Sequence, residues 1–347
     1  MQNQRNMYID VIKAISILLV VVGHCIQYGA GIEYLQSGVF LYHRAFIFIY
    51  SFHMPLFMLI SGYLFALSCK NKSSKQLLIN KVKQLLVPLF CWSFVSLFVQ
   101  MIKIAVGASA QEITFLWMCQ TVNASFWGGP WFLWALWWSS VVLILGRTLC
   151  KDNALFYLAI CLACFVVPDL NNTAMYKYMF PFFYLAYAFN KYDYKSKFKK
   201  IYSHKLFALG SVIVFAVFLP FYNFDTYIYT TGYCVLGKNV AYQLHNDCFR
   251  FFIGITGSVA IMCVLGVFME SMPQNVWKPF AYIGANTLGI YIISNYLFDE
   301  VLKRLPIAGL HFGWVVLESV CVLSVALGIT YLLKKYKYTN RLFLGGR

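Results

Sequence analysis

Ten apolar stretches follow one another along the chain, separated by polar and mostly basic connections. They run near 8–28, 45–68, 85–106, 131–149, 154–168, 174–190, 206–222, 247–269, 280–298 and 313–333. A helix needs ~20 predominantly apolar residues to cross the hydrocarbon of a bilayer. Inside a bilayer the backbone must satisfy its own hydrogen bonds, so each stretch predicts a helix. The expected fold is therefore an all-α integral membrane protein, a bundle of about ten transmembrane helices, with 1–347 forming a single membrane domain. The first stretch lacks a small-residue cleavage site and reads as a retained signal anchor.

Composition agrees: 61% of residues are hydrophobic and 12% charged, which excludes a soluble globular chain. The net charge of +16 would suit nucleic acid, but its distribution argues otherwise. Alternate connections carry Arg5; Lys70, Lys72, Lys75, Lys81 and Lys83; Arg147 and Lys151; then Lys191, Lys195, Lys197, Lys199, Lys200 and Lys205. Lys278 and finally Lys334, Lys335, Lys337, Arg341 and Arg347 bring that side to 20 of the 28 basic residues. This is the positive-inside bias, which places both termini in the cytoplasm. The basicity is a topology signal; membrane lipids are the expected surroundings and no nucleic-acid partner is expected.

Three connections are long enough to carry structure. Segment 70–86 has apolar residues at helical spacing among lysines and is expected either to lie along the membrane surface or to be plain inside-loop charge. Segment 107–130 is expected as an outer loop ending in Gly128-Gly129-Pro130. The outer loop 223–246 holds Tyr227, Tyr229, Tyr233, Tyr242 and His245, with Asp247 at its edge. Aromatics belong at membrane interfaces, and the same set would also stack on sugar rings. Cys161 and Cys164 fall in an apolar run and read as packing residues, while Cys234 and Cys248 are a candidate pair in the outer loop. No metal-ligand spacing is present, and no metal is expected.

Ionisable residues inside apolar stretches mark sites, because they are costly there. Asp10, Lys13 and His24 punctuate the first stretch. Lys13 and His24 are close to three turns apart, on nearly one face, roughly 16 Å along the axis. An imidazole titrates near neutral pH and can act as a general base. Asp10 is placed to hold Lys13 by an i,i+3 pairing, and Lys13 suits the phosphates of a cytoplasmic donor. His53 precedes Met54-Pro55, so its helix either starts there or starts near Arg44 and kinks at Pro55. Ser61-Gly62 offers close approach to a neighbouring helix or a slender ligand. Arg250 and Glu318 lie at similar depths and are a candidate buried ion pair, structural or acceptor-binding.

Together these residues resemble the acyltransferase-3 family of multi-span membrane acyltransferases. The matching motifs are Asp10, Lys13-x10-His24; Phe52-His53-Met54-Pro55-Leu56-Phe57 with Ser61-Gly62-Tyr63-Leu64; Gly129-Pro130-Trp131-Phe132-Leu133; and Ile283-Gly284-Ala285-Asn286-Thr287-Leu288-Gly289-Ile290-Tyr291. The resemblance implies transfer of an acyl group, usually acetyl, from acetyl-CoA or another acyl-CoA to a hydroxyl of a carbohydrate or lipid-linked sugar acceptor. It implies a bacterial inner-membrane location. By carry-over, His24 is the catalytic histidine and His53 stands with it. Lys13, Asp10 and Ser61 serve the donor, and Trp131 joins Arg250 and Glu318 on the acceptor side. Two positions depart from the pattern: Ser294-Asn295 stand where many members carry a histidine, and Ala186 replaces a common glycine. The competing class is a transporter or flippase for a glycan or lipid, using Asp10, Lys13 and His24 as a relay. A receptor or structural protein would leave that cluster without purpose. No inverted repeat supports transport.

Overall fold

The computed structural model describes residues 6–170, 172–192, 204–305 and 311–346. All ten predicted stretches are helical, and no strand occurs among the described residues. Among the described residues, six helices are long and apolar enough to cross a membrane: Met7–Tyr28, Arg44–Cys69, Ser74–Ala105, Trp131–Leu149, Val240–Ser271 and Phe312–Lys335. Ala154–Val166 and Lys205–Phe221 are apolar but shorter. Arg5, Lys195, Lys197, Lys199, Lys200 and Arg347, counted among the inside cations, lie outside the described residues.

The helices start where side chains can satisfy the first backbone amides. Asn6, Thr114, Asn153 and Asn239 each accept a hydrogen bond from an amide of the helix they precede. Ser73 and Gln76 form a reciprocal capping box.

The first helix, Met7–Tyr28, is the centre of the bundle. It packs against His53–Cys69, Gln274–Gly284, Thr287–Glu300 and Phe312–Lys335. Val11, Ala14, Ile17 and Cys25 are fully buried on it. Two contacts depend on absent side chains. A Cβ at Gly284 would overlap the Asp10 carbonyl oxygen, and one at Gly62 would overlap the carbonyl of Phe183. Such backbone proximity is how helices associate tightly in lipid. Phe98, Ile102, Leu317 and Val320 are exposed on the outer helices, as lipid-facing positions should be.

Several expectations are corrected. The stretch 280–298 is two helices, Gln274–Gly284 and Thr287–Glu300, broken where the chain meets Asp10. Just past that contact the Asn286 amide donates back to the Tyr282 carbonyl at 2.7 Å, a local bond that competes with helix continuation. The stretch 45–68 agrees in part with both readings of its start: one helix begins at Arg44 and breaks at Ser51–Phe52, where Phe52 leaves helical geometry, and the next begins at His53. Pro55 has no N–H to pair with the carbonyl four residues back, which favours that break. Segment 70–86 is helical from Ser74. It enters the next helix through a π turn at Val82–Leu86, just ahead of Pro88.

Segment 107–130 contains the helix Phe115–Trp127. Segment 223–246, expected as an outer loop, is folded. Tyr227 and Tyr233 are buried, two short helical turns cross it, and the following helix starts at Val240. Cys234 and Cys248 are both free thiols, so the candidate pair does not form.

Candidate active site

A cavity of about 420 Å³ runs beside the first helix. At one end it is bordered by Lys13, Gln84, Ala285 and Gly345, along its wall by Ser61 and Leu64, and at the far end by Val20, Met54, Phe57, Phe132 and Tyr291. Lys13 sits 3.5 Å from the Asp10 carboxylate, the i,i+3 pair expected from spacing. Val20 is seven residues beyond Lys13, about 10 Å up the axis, and His24 is one further turn, about 6 Å, beyond Val20. The cavity therefore starts at the cation and stops one turn short of the imidazole.

His24 Nδ1 is 3.1 Å from Gln27 Oε1. The Tyr50 hydroxyl donates to the same oxygen at 3.3 Å and lies 3.5 Å from His24 Nδ1. An amide oxygen only accepts, so Nδ1 carries the hydrogen and Nε2 the lone pair. Phe298 and Tyr28 pack beside the ring, with centroids at 5.0 and 5.8 Å. Gly23 makes room for Tyr50, since a Cβ there would stand 2.9 Å from its ring.

His53 has the same polarity. Its Nδ1–H donates to the Ile49 carbonyl at 2.7 Å, which leaves Nε2 as the basic nitrogen. Tyr50 bridges the two histidines: its ring lies 4.8 Å from that of His53. His53 lines a narrow cleft with Tyr50, Met54, Trp131, Tyr229 and Arg250. Met54 borders both this cleft and the Lys13 cavity. A third cavity of about 260 Å³ shares Trp131 with the cleft and is bordered by Trp92, Ser93, Ser96, Ser125, Asn295 and Asp299.

The structure thus brings Lys13, Asp10 and Ser61 together, and His53, Arg250 and Trp131 together. The predicted Arg250–Glu318 pair is not formed. Arg250, 1% exposed, reaches Asp247 at 3.0 Å, three residues away on its own helix. It also donates to the Gly232 carbonyl at 2.8 Å and the Thr231 hydroxyl at 2.5 Å. The local carboxylate and the folded-back loop take both terminal nitrogens of the guanidinium and leave Nε, which is buried without a hydrogen bond among the described residues. Glu318 is buried against the first helix, where a Cβ on Gly29 would overlap its carboxylate. It has no hydrogen-bond partner among the described residues and borders none of the three cavities.

The loop over the cleft is held by charge. Asp169 accepts from Lys177 at 2.6 Å and from the Tyr233 and Cys234 amides at 2.7 and 3.0 Å. Burial works to raise its carboxyl, but these donors outweigh it and hold it below the usual carboxylate range. Burial pushes the phenols of Tyr227 and Tyr233 up, so both stay neutral donors. No group of three His, Cys, Asp or Glu side chains suited to a metal occurs among the described residues.

Gln27 and Tyr50 lie outside the sequence motifs; Met54, Phe57, Phe132 and Tyr291 lie within them, but nothing in the motifs shows that they meet at one end of a cavity. Gln27 carries a local signal, its i+3 spacing from His24. The others come from helices remote in sequence.

The sequence profile of the family described as Acyltransferase domain matches residues 6–334. Two curated relatives are both nodulation protein NolL. The protein of Mesorhizobium japonicum is 26% identical over 359 aligned positions, covering 99% of this chain and 91% of its own. That of Sinorhizobium fredii is 30% identical over 196 positions, 54% of this chain and 49% of its own. No solved structure matches.

Proposed function

The chain belongs to the acyltransferase domain family, and from that premise we propose that it is an acetyl-CoA-dependent O-acyltransferase acting on a surface glycan or lipid-linked sugar. The observation that carries this reading is the cavity that starts at Lys13 and ends at Val20, one helical turn short of His24, which itself borders none of the three cavities. In the proposed orientation the helices make ten crossings of a bacterial inner membrane, with both termini and the basic connections in the cytoplasm. Acyl-CoA then meets the Lys13 end first, its phosphates near that cation and its pantetheine arm along Ser61.

His24 is the proposed general base. Its Nε2 takes the proton of the acceptor hydroxyl, and the oxygen attacks the thioester carbonyl. The tetrahedral adduct collapses with cleavage of the C–S bond. CoA leaves as the thiolate and takes up the proton from His24. Holding donor and acceptor on either side of one septum, Met54, which borders both the Lys13 cavity and the His53 cleft, removes the entropic cost of their meeting. His53, Arg250 and Trp131 are assigned to the acceptor side of that septum. The third cavity, rich in hydroxyls and indoles, suits a neutral sugar. Glu318 borders none of these spaces and is left outside the acceptor set.

The test is O-acylation of surface glycans, read by mass spectrometry in cells with wild type, with His24→Ala and without the protein. The variant should match the cells lacking the protein. Wild-type acylation by His24→Ala would overturn the assignment of the base. A transporter would move glycan without binding acyl-CoA.

A further inference from the structure

The far end of the Lys13 cavity is closed by an aromatic collar. The Phe57 and Phe132 rings stand 5.5 Å apart, and Phe132 and Tyr291 5.9 Å. All three are buried, at 8%, 6% and 6% exposure. They come from three helices, His53–Cys69, Trp131–Leu149 and Thr287–Glu300, and each ring is packed in by its neighbours. Met54 completes the closure and differs in kind. It is unbranched and flexible, and it is the residue that borders both the Lys13 cavity and the His53 cleft.

We infer that this collar sets the length of acyl group the protein accepts: Phe57, Phe132 and Tyr291 form a fixed rim, and Met54 is the yielding member through which an acetyl group is presented to the far side. The inference rests on the donor assignment above. An acyl-CoA lying with its phosphates toward Lys13 points its acyl tail at the collar. Protein interiors are close-packed, and extra methylenes forced against rigid aromatics are penalised. A short acyl group fits below the rim; a long one has nowhere to go.

The experiment uses the purified full chain in nanodiscs, with displacement of radiolabelled acetyl-CoA by unlabelled acetyl-, butyryl- and octanoyl-CoA. In wild type, octanoyl-CoA should compete about tenfold or more weakly than acetyl-CoA, the scale expected of overpacking a core. Phe132→Ala and Met54→Ala should each bring octanoyl-CoA to within roughly threefold of acetyl-CoA, because the rim or its yielding member is then gone. A wild-type melting temperature in detergent shows that a variant is folded, and both variants are scored. Equal competition by all three thioesters in wild type, or an unchanged ratio in a folded variant, overturns the inference while leaving the donor site standing. Failure of every thioester, acetyl-CoA included, to displace the label overturns the donor assignment itself.

Discussion

The Tyr50 hydroxyl and His24 Nδ1 lie 3.5 Å apart, with both groups turned toward Gln27 Oε1. The shared acceptor fixes the imidazole tautomer: the hydrogen is on Nδ1, and the lone pair faces away from the triad. A base that must take a proton repeatedly needs that orientation restored at each turnover. Gln27→Leu leaves Nδ1–H without its acceptor, a loss of about 1–3 kcal/mol, or roughly tenfold in rate. Tyr50→Phe, which keeps the ring and removes one donor, should cost less. Acetyl transfer should fall in both variants while acetyl-CoA affinity stays unchanged; an equal fall in both quantities would contradict an orienting role.

Much of this site was legible in the first helix alone. Asp10, Lys13 and His24 stand out because charge is costly in an apolar stretch, and their spacing on one helix follows from its geometry. The Lys13–Asp10 pair forms as its register requires. What the sequence could not show is contact between helices. Arg250 and Glu318 sit at similar depth in apolar runs, yet depth says nothing of azimuth, and Arg250 turns to Asp247 on its own helix. Segment 223–246 reads as a loop because it is polar and aromatic. Asp169, Arg250 and Gln243 bind its backbone at Gly232, Tyr233 and Cys234, which no local pattern foretells.

Lys13 should govern the donor. Lys13→Ala removes the cation at the mouth of the Lys13 cavity and is expected to weaken acetyl-CoA binding about tenfold, whereas Lys13→Arg should retain most of it, since charge-assisted bonds to phosphate contribute about 1.5–3 kcal/mol. The effect should shrink with added salt as the charges are screened. Equilibrium binding at two ionic strengths checks both statements, and an unaltered affinity in Lys13→Ala would remove the residue from the donor site.

Gly284→Ala should destabilise the fold, because its Cβ would overlap the Asp10 carbonyl oxygen, a backbone atom that cannot swing aside. Separating the two helices costs about 1–3 kcal/mol. The shift also moves Asp10 and hence Lys13, so lower thermal stability in detergent should come with weaker acetyl-CoA binding. Gly62→Ala, against the Phe183 carbonyl, should lower stability by a similar amount.

Asp152 gives a pH signature outside the spanning helices. Burial works to raise its carboxyl, but hydrogen bonds from Tyr157 at 2.6 Å, Lys191 at 2.9 Å and Tyr187 at 2.7 Å outweigh it and hold it below the ordinary value of 3.8. A carboxylate depressed in the folded state binds its proton more readily when unfolded. Its stabilisation is therefore complete above the unfolded value and is lost as pH falls through the folded one. The apparent Tm of wild type should exceed that of Asp152→Asn by a constant margin from neutral pH down to about pH 5, and the margin should close in more acid solution. A margin that widened on acidification would contradict the assignment.

The third cavity offers the sharpest separation of donor from acceptor. Trp131 borders it and also the His53 cleft, so its indole is the surface common to both. Stacking of a sugar on an indole is lost in Trp131→Ala, while Ser96→Leu fills the polar side opposite with an apolar group that cannot pair with hydroxyls. Ser96 is bonded by the Ser125 hydroxyl at 2.9 Å, so its loss also unpairs that neighbour, a penalty of about 1–3 kcal/mol. Both substitutions leave the Lys13 cavity unaltered in its lining. Acetyl-CoA binding should therefore hold within roughly twofold while O-acylation of surface glycans falls by about tenfold, the change in barrier that 1.4 kcal/mol produces. If the two quantities fell together, the cavity would belong to the donor or to the fold, and the division of the site at Met54 would be wrong.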